Sequence, residues 1–401
     1  MNNSHPNSTL TKATLLLAST LTVMAGATIA PSLPAMQDQF ADVANAEFWV
    51  KLVLTLPALF IVIGSPIAGV IVDRLGRKPL LLAAAVLYGF AGGSGLILNS
   101  LFAILAGRAL LGLAVAGVMV SATTLIADYY IGAARATFMG LQAAFMGLGG
   151  VLFLSAGGSL ASANWRLPFL IYLLAWLLIP LIIFWIYEPN RSISNIPSIP
   201  DGEVISDTSI PVNLLILVFG TTVLSQIIFY LIPVQLPFYL RSLTNATPTE
   251  SGMAIAFATL FSAFASLAYG KVKARLDFVS ILPIMFGLMG IGYTIIGLVS
   301  SYALVLLGLG FAGMGLGLLM PNMTVWVSAT VPDAVRGRAL GGLSTSLFLG
   351  QFLSPIVSQP ISAKFGLGLT YSLAGGFLLV LGVVLIAMKQ QVMAFTASPS
   401  K

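Results

Sequence analysis

Charged side chains are scarce in this sequence, and a cluster of them falls between residues 69 and 78. Only 7% of the 401 residues are charged. The cluster reads Gly69-Val-Ile-Val-Asp73-Arg74-Leu75-Gly76-Arg77-Lys78, with apolar runs on both sides. Because a charge in hydrocarbon is costly, this segment must lie where a membrane meets water. It fits two interpretations: a basic anchor with a turn glycine, or a latch whose carboxylate forms and breaks an ion pair.

Arg108 is the one formal charge that we place well inside a predicted helix. It lies within the segment Leu105-Ala-Gly-Arg108-Ala-Leu-Leu-Gly112. An arginine at membrane depth is a candidate functional residue, because burying its charge is costly unless it finds a partner. The alternative is a structural arginine that donates hydrogen bonds to carbonyl groups of helix 1.

The sequence lacks the residues and motifs that most catalytic, metal-binding and nucleotide-binding sites require. The chain has no cysteine, and its single histidine, His5, stands in a polar N-terminal segment. Disulfides and thiolate metal sites are therefore excluded, and histidine-based metal binding or catalysis is not supported. No phosphate-binding loop, nucleotide fingerprint or catalytic triad spacing occurs. We expect a protein that is not an enzyme and that has no cofactor and no metal site.

The elements that must position these residues are membrane helices. Hydrophobic residues make up 58% of the chain, and the mean hydropathy is +1.02. Apolar stretches of about 18 or more residues recur along it, which predicts an all-α polytopic membrane protein. Twelve helices are predicted, at about 13–36, 48–72, 79–98, 101–129, 135–161, 168–187, 211–240, 250–269, 279–300, 302–330, 336–363 and 367–388.

The basic residues predict the orientation of these helices. Thirteen Lys and Arg residues fall in the loops and tails on the side of the N-terminus, and four fall on the other side. Both termini are therefore expected on the cytoplasmic side. This distribution also explains the net charge of +6 better than nucleic-acid binding does.

The two halves of the chain are a repeat. A constant offset of 201 residues relates first-half positions to identical residues in the second half: Gly69 to Gly270, Arg74 to Arg275, Gly112 to Gly313, Arg135 to Arg336, and Gly149 to Gly350. The polar stretch 188–210 separates a first six-helix half, 1–187, from a second, 211–401. The copies differ at the charged cluster, because Ala274 stands in the slot of Asp73 and Asp277 in the slot of Gly76.

The spacing within 69–78 resembles the loop 2–3 signature of the major facilitator superfamily of transporters, and the segment around Arg108 resembles the helix 4 motif of that family. The resemblance implies two parallel six-helix repeats with the substrate site between them. It also implies that Asp73 contacts the cytoplasmic end of helix 11, and that Arg108 and Asp73 take part in coupling. The gating residues that it implies are Gly69, Asp73, Arg74, Gly76, Arg77, Arg135, Arg336 and Arg338.

Helix 5 resembles the signature of the twelve-helix drug:proton antiporter branch. Its matching glycines are Gly140, Gly149, Gly157 and Gly158. The central Gly-Pro of the signature is replaced by Phe153-Leu154, so the resemblance does not decide whether the protein is a strict antiporter. Close helix packing alone would also explain glycines at these positions.

The expected substrate cavity is apolar and aromatic, with isolated amides and hydroxyls. Its predicted lining is Thr20, Met24, Gln142, Phe145, Gln226, Phe229, Tyr230, Asn322, Trp326, Phe348 and Gln351. All twelve acidic residues fall at predicted helix ends or in loops, so no carboxylate is placed to titrate at mid-membrane. The nearest to plausible proton routes are Asp73, Glu47 and Glu250.

These features predict a secondary active transporter that works by alternating access and exports hydrophobic or amphiphilic small molecules. One alternative is a facilitator of a metabolite or lipid-like solute without strong proton coupling, and another is a membrane receptor without a transport cycle. The expected partners are a small-molecule substrate and the lipid bilayer, with protons as candidate coupling ion and no nucleic acid. We expect a monomer in the plasma membrane, the inner membrane of a bacterium.

Overall fold

The computed structural model describes residues 8–189 and 210–397, and within these ranges every regular element is a helix. Twelve helical segments are long and apolar enough to cross a membrane, which confirms the predicted all-α, twelve-span fold. We number them as spans 1–12: Thr9–Gln39, Ala46–Leu75, Arg77–Leu96, Leu101–Tyr129, Ala133–Ala163, Leu167–Trp185, Val212–Thr244, Pro248–Lys273, Phe278–Leu298, Tyr302–Thr330, Asp333–Phe365 and Leu367–Ala387. A further helix, Lys389–Ala397, follows span 12.

The predicted helix boundaries lie close to those in the structure. Spans 4 and 10 coincide with the predicted 101–129 and 302–330, each beginning directly after a serine N-cap, Ser100 or Ser301. Other ends differ by up to four residues. The helix Lys389–Ala397 was not predicted, and nearly all of the predicted linker 188–210 lies outside the described residues.

Short connections make successive spans antiparallel. We call the side on which span 1 begins and span 12 ends the terminal side, and the opposite side the distal side. Spans 1 and 7 are broken at equivalent places toward the distal side, where prolines remove backbone donors. Span 1 changes to a 3-10 turn at Ala30–Ser32, and span 7 is interrupted at Tyr230 ahead of Pro233. The hydroxyl of Tyr293 donates to the carbonyls of Ile228 and Phe229 beside the break.

The repeat extends to the packing contacts. A Cβ added to Gly112 would lie 2.4 Å from the carbonyl oxygen of Pro57, and one added to Gly313 would lie 2.2 Å from that of Ala258. Both members of this pair of contacts are related by the offset of 201 residues. Spans 2 and 4, and likewise spans 8 and 10, therefore cross at such short range that only glycine fits. The same backbone geometry is built twice.

Candidate functional site

A cavity of about 510 Å³ lies between the two halves, from the centre of the membrane toward the terminal side. Six of the eleven predicted lining residues surround it: Gln142, Gln226, Phe229, Tyr230, Phe348 and Gln351. They come from spans 5, 7 and 11. Amide groups and aromatic rings therefore line the same cavity, which suits a solute with an apolar body and a polar group that forms hydrogen bonds.

The other five predicted lining residues lie elsewhere, each for a local reason. Met24 is fully buried in the core, and the hydroxyl of Thr20 donates back to Leu17 within its own helix. Asn322 is buried and donates to the carbonyl of Phe278. Trp326 stacks on the ring of Phe278, and Phe145 lies exposed on span 5 outside the cavity lining. Chain position alone did not reveal which face of each helix points inward.

Several lining residues were not predicted. Span 1 contributes Ser19 and Thr22, and Met119, Met139 and Met146 come from spans 4 and 5. Ser19, Thr22 and Gly26 recur at helical spacing on one face of span 1, which is a signal that the sequence did contain. The flexible methionine side chains suit a site that accepts solutes of different shapes.

The halves are joined at the distal side by a group of contacts that we call the distal seal. Arg241 of span 7 pairs with Asp38 of span 1 at 2.7 Å, with both side chains half exposed. Backbones meet directly where spans 5 and 8 cross, because a Cβ added to Gly252 would lie 2.9 Å from the Cα of Gly158. Beside this crossing, within the first half, a Cβ added to Gly157 of span 5 would lie 2.1 Å from the carbonyl oxygen of Thr28 on span 1. The cavity is thus closed on the distal side.

Lys51 is the buried charge of the distal seal. It stands near the start of the predicted helix 48–72, where the sequence suggested no role for it, yet the structure buries it completely. Its Nζ lies 2.8 Å from Oε1 of Glu47, and it also donates to the side chain of Gln359 on span 11. The ring of Phe238 on span 7 lies 5.0 Å from the same Nζ. One ammonium group therefore ties span 2 of the first half to two spans of the second.

Arg108 lies behind the cavity wall, inside the first half. Its Nε donates to the carbonyl of Val53 at 2.9 Å, and one terminal nitrogen donates to that of Ala25 at 2.6 Å. Its guanidinium carbon lies 5.1 Å from the ring centre of Tyr172. These contacts match the structural interpretation, in which Arg108 bonds to helix 1. Its other terminal nitrogen, Nη1, is buried without a hydrogen-bond partner among the described residues.

The charged cluster 69–78 contacts the first half on the terminal side. The backbone N–H groups of Arg77 and Lys78 donate to the carboxylate of Glu188 at 2.8 and 2.7 Å. Glu188 follows span 6 and so caps the start of span 3. A Cβ added to Gly76 would lie 2.7 Å from this carboxylate, and the φ of +104° also requires glycine there. Arg77 pairs with Asp128 of span 4 at 3.0 Å.

The second half has the same arrangement with its charges exchanged. Asp277 stands in the slot of Gly76 and caps span 9, accepting from the N–H of Ser280 at 2.7 Å. Lys389 stands in the slot of Glu188 and lies 2.8 Å from Asp277. Burial opposes the charge of Asp277, but hydrogen bonds from Lys389 and Ser280 outweigh it and lower its pKa to about 2. Each half therefore fixes the end of its last span to the start of its third.

Asp73, Arg135 and Arg336, three further predicted gating residues, do not contact one another. Asp73 is exposed, and within the described ranges it forms no hydrogen bond or ion pair with span 11 or any other element. Arg336 instead pairs with Asp333 at 2.5 Å. Arg135 and Arg336 each donate to the carbonyl five residues earlier, that of Tyr130 or Val331.

We expect Glu188→Ala to destabilise the protein by about 1–2 kcal/mol, because two backbone donors at a helix start lose a charged acceptor. The measurement is the thermal unfolding midpoint of the purified protein. A matched control is Asp333→Ala, whose carboxylate is 87% exposed and should contribute less than about 1 kcal/mol. Equal shifts for the two variants would contradict the capping role of Glu188.

The predicted motif glycines of span 5, together with Gly69 of the charged cluster on span 2, divide into two groups. Gly158 meets the backbone of span 8 at the distal seal, Gly157 meets the backbone of span 1, and a Cβ on Gly149 would lie 3.2 Å from Thr20. Gly140 and Gly69 have nothing within 4 Å of an added Cβ. Close packing therefore accounts for the distal glycines, whereas this conformation gives no packing reason for the other two.

Among the described residues, no group of three or more His, Asp or Glu side chains is placed to hold a metal ion.

The comparison with known families is decisive at this point. Residues 15–236 and 218–394 both match the Major Facilitator Superfamily, so the match extends over both halves. The chain belongs to this superfamily. Its members are transporters and not enzymes, as the sequence predicted.

Individual relatives of this superfamily protein are distant. The multidrug resistance protein MdtG of Escherichia coli (strain SMS-3-5 / SECEC) is 24% identical over 371 residues, which cover 90% of this chain and 89% of MdtG. A D-xylose-proton symporter structure superposes with a TM-score of 0.76 at 16% identity, covering 93% of this chain and 96% of that one. A bacterial homologue of the human lysosomal transporter Spinster, captured inward-facing and occupied, gives 0.72 at 17% identity, covering 96% and 95%. At such identities the structural likenesses establish the fold alone.

Proposed function

We propose that this protein exports hydrophobic or amphiphilic small molecules by alternating access between its two halves. The observation that carries the proposal is the cavity, which is apolar, contains isolated amides, and is closed on the distal side only. The multidrug resistance protein MdtG, related over most of both chains, supports export as the direction. In this proposal Asp73 and Arg336 re-form the latch when the terminal side closes, and Arg108 and Asp73 are the candidate coupling residues.

A second candidate is a facilitator that is not strongly driven by protons. The observation that favours it is the position of the carboxylates. Every acidic residue that the structure describes lies at a helix end or in a connection, and none lines the cavity. A group that titrates during transport is expected within the cavity or the path to it. Asp201, Glu203 and Asp207 lie outside the described residues.

Transport into proteoliposomes tests the proposal. We expect protein-dependent flux of an amphiphilic fluorescent dye, and only a weak response to an imposed pH gradient, since no carboxylate lines the cavity. Liposomes prepared in the same way without protein are the control. The absence of any flux above this control would contradict the transporter assignment, and steep gradient-driven accumulation would contradict weak coupling.

We propose that the terminal side faces the cytoplasm of a bacterial cell. Because the native chain has no cysteine, single cysteines can report the orientation without background. Ala274 on the terminal side and Ala41 on the distal side are both exposed. An impermeant thiol reagent added to intact cells should label Ala41→Cys at once and Ala274→Cys only after lysis. The reverse pattern would contradict this orientation.

A further inference from the structure

The side chains that line the cavity determine which charge a bound solute can carry. No charged side chain occurs among the lining residues, and the polar groups are hydroxyls and the amides of Gln142, Gln226 and Gln351. Each of these groups can donate a hydrogen bond to an anion. The acidic residues in the described ranges lie at helix ends, away from the membrane centre. The cavity thus has no fixed negative charge to attract a lipophilic cation.

A buried cation, Arg108, lies behind the cavity wall and is 1% exposed. Ala25, whose carbonyl accepts one of its hydrogen bonds, itself lines the cavity. Leu54, the neighbour of the other acceptor residue, Val53, lines it as well. The guanidinium is therefore separated from the cavity by the backbones of spans 1 and 2. Its Nη1 is buried and has no hydrogen-bond partner among the described residues.

This arrangement produces a positive potential in the cavity. Arginine stays charged at any relevant pH, and here two carbonyl dipoles, rather than a carboxylate, face it. Across a low-dielectric wall the field of an uncompensated charge is weakly screened. An anion in the cavity is stabilised by this field, and a cation is repelled to a similar extent. The rings of Phe229 and Phe348 attract a cation only at contact range, so the longer-range Coulomb term dominates.

We propose that the cavity selects amphiphiles whose polar end is anionic, such as a carboxylate on an apolar ring or chain, and that Arg108 determines this selectivity from behind the wall. The inference rests on the proposed transport function and narrows its substrate class. The amides donate hydrogen bonds to the anionic end, and the methionine and aromatic side chains contact the apolar body. Arg108 acts as a specificity-determining residue that need not touch the substrate.

Three probes of one shape and different charge test this inference: 1-naphthoate, 1-naphthamide and 1-naphthylmethylammonium. Binding is measured by calorimetry on the full chain in nanodiscs of zwitterionic lipid, so that the lipid surface favours neither charge. We expect the carboxylate to bind at least about tenfold more tightly than the ammonium, with the amide between them. An ammonium or an amide that binds as tightly as the carboxylate would overturn the proposal.

Two variants identify the origin of the selectivity. Gln351→Glu introduces a carboxylate at a lining position for which the structure shows no hydrogen bond to lose, and it should reverse the order of the probes. Gln351→Met, the neutral control, should keep the order. Arg108→Gln should remove the advantage of the carboxylate, whereas Arg108→Lys, which keeps the positive charge, should retain it. A carboxylate advantage that survives in Arg108→Gln, or that is lost in a folded Arg108→Lys, would overturn the role of Arg108. An order unchanged in Gln351→Glu would overturn the electrostatic argument.

The failure of this inference can be distinguished from failure of the proposed function. If the ammonium probe binds best and is carried across proteoliposome membranes, the exporter assignment stands and the anionic selectivity is wrong. If none of the three probes binds and no amphiphile is transported, both are wrong.

Discussion

Gly158→Val is expected to abolish transport while leaving the protein folded. Gly158 lies where span 5 crosses span 8, and a Cβ added to it would lie 2.8 Å from the carbonyl oxygen of Pro248 and 3.1 Å from the Cα of Gly252. Backbone atoms cannot move aside as a flexible side chain would, so valine must force the halves apart on the distal side. A transporter that cannot close one side loses its cycle, and we expect flux to fall by at least about tenfold.

The measurement is dye flux in proteoliposomes at matched protein content, together with the elution profile of the purified variant. Gly376→Val in span 12 is the matched control, because an added Cβ there has nothing within 4 Å. Both variants replace a helical glycine by valine and so change helix propensity equally. A difference in dye flux between them therefore reports the contact of residue 158 with the backbone of span 8. Normal flux in Gly158→Val would contradict the role assigned to this crossing.

Glu47→Gln is expected to shift the protein toward a distal-open conformation. The ammonium of Lys51 is fully buried, and its carboxylate partner on the same helix lies 2.8 Å away. Removing one partner of a buried pair leaves an uncompensated charge, at a cost of about 3–5 kcal/mol for fully buried pairs. Glu47 is 46% exposed, so solvent screening reduces this to about 1–2 kcal/mol. Opening the distal side hydrates Lys51 and relieves the cost.

A shift of this size corresponds to an increase of about tenfold in the distal-open population. It is measured as the rate at which an impermeant thiol reagent, added on the distal side, labels Thr259→Cys in the cavity wall. The double variant Lys51→Met/Glu47→Gln removes the buried cation and should return the rate toward that of the parent. An unchanged rate in the single variant, or no recovery in the double variant, would show that this pair does not hold the seal.

Patterns along the chain predicted much of the fold. Apolar run length predicted twelve spans, and the repeat offset from Arg135 to Arg336 reappears in equivalent contacts, since each arginine donates to the carbonyl five residues earlier. These features are local, or they recur in the sequence itself. Arg108 stands within an apolar segment, and this position predicted its depth in the membrane. A buried arginine is rare, so it marked a candidate functional residue.

The contacts between distant segments were not predictable in the same way. Lys51 stands at the end of a helix, and its burial follows from how span 11 of the other half meets span 2. Glu188 reads as the first residue of a linker, although it caps a helix that begins 111 positions earlier. Trp326 is a residue type that suits an aromatic cavity, yet its ring stacks on the ring of Phe278. Each depends on which helix face turns inward, which one sequence does not specify.

Alternating access is the central claim, and spin-label distances across both sides test it most directly. One cysteine pair, Ala133→Cys and Ala274→Cys, reports the terminal ends of spans 5 and 8, and another, Ala41→Cys and Ser242→Cys, reports the distal side; all four positions are exposed. In going from the parent to Glu47→Gln, we predict that the terminal distance shortens while the distal distance lengthens. Distances that stay fixed, or that change in the same direction, would contradict the account.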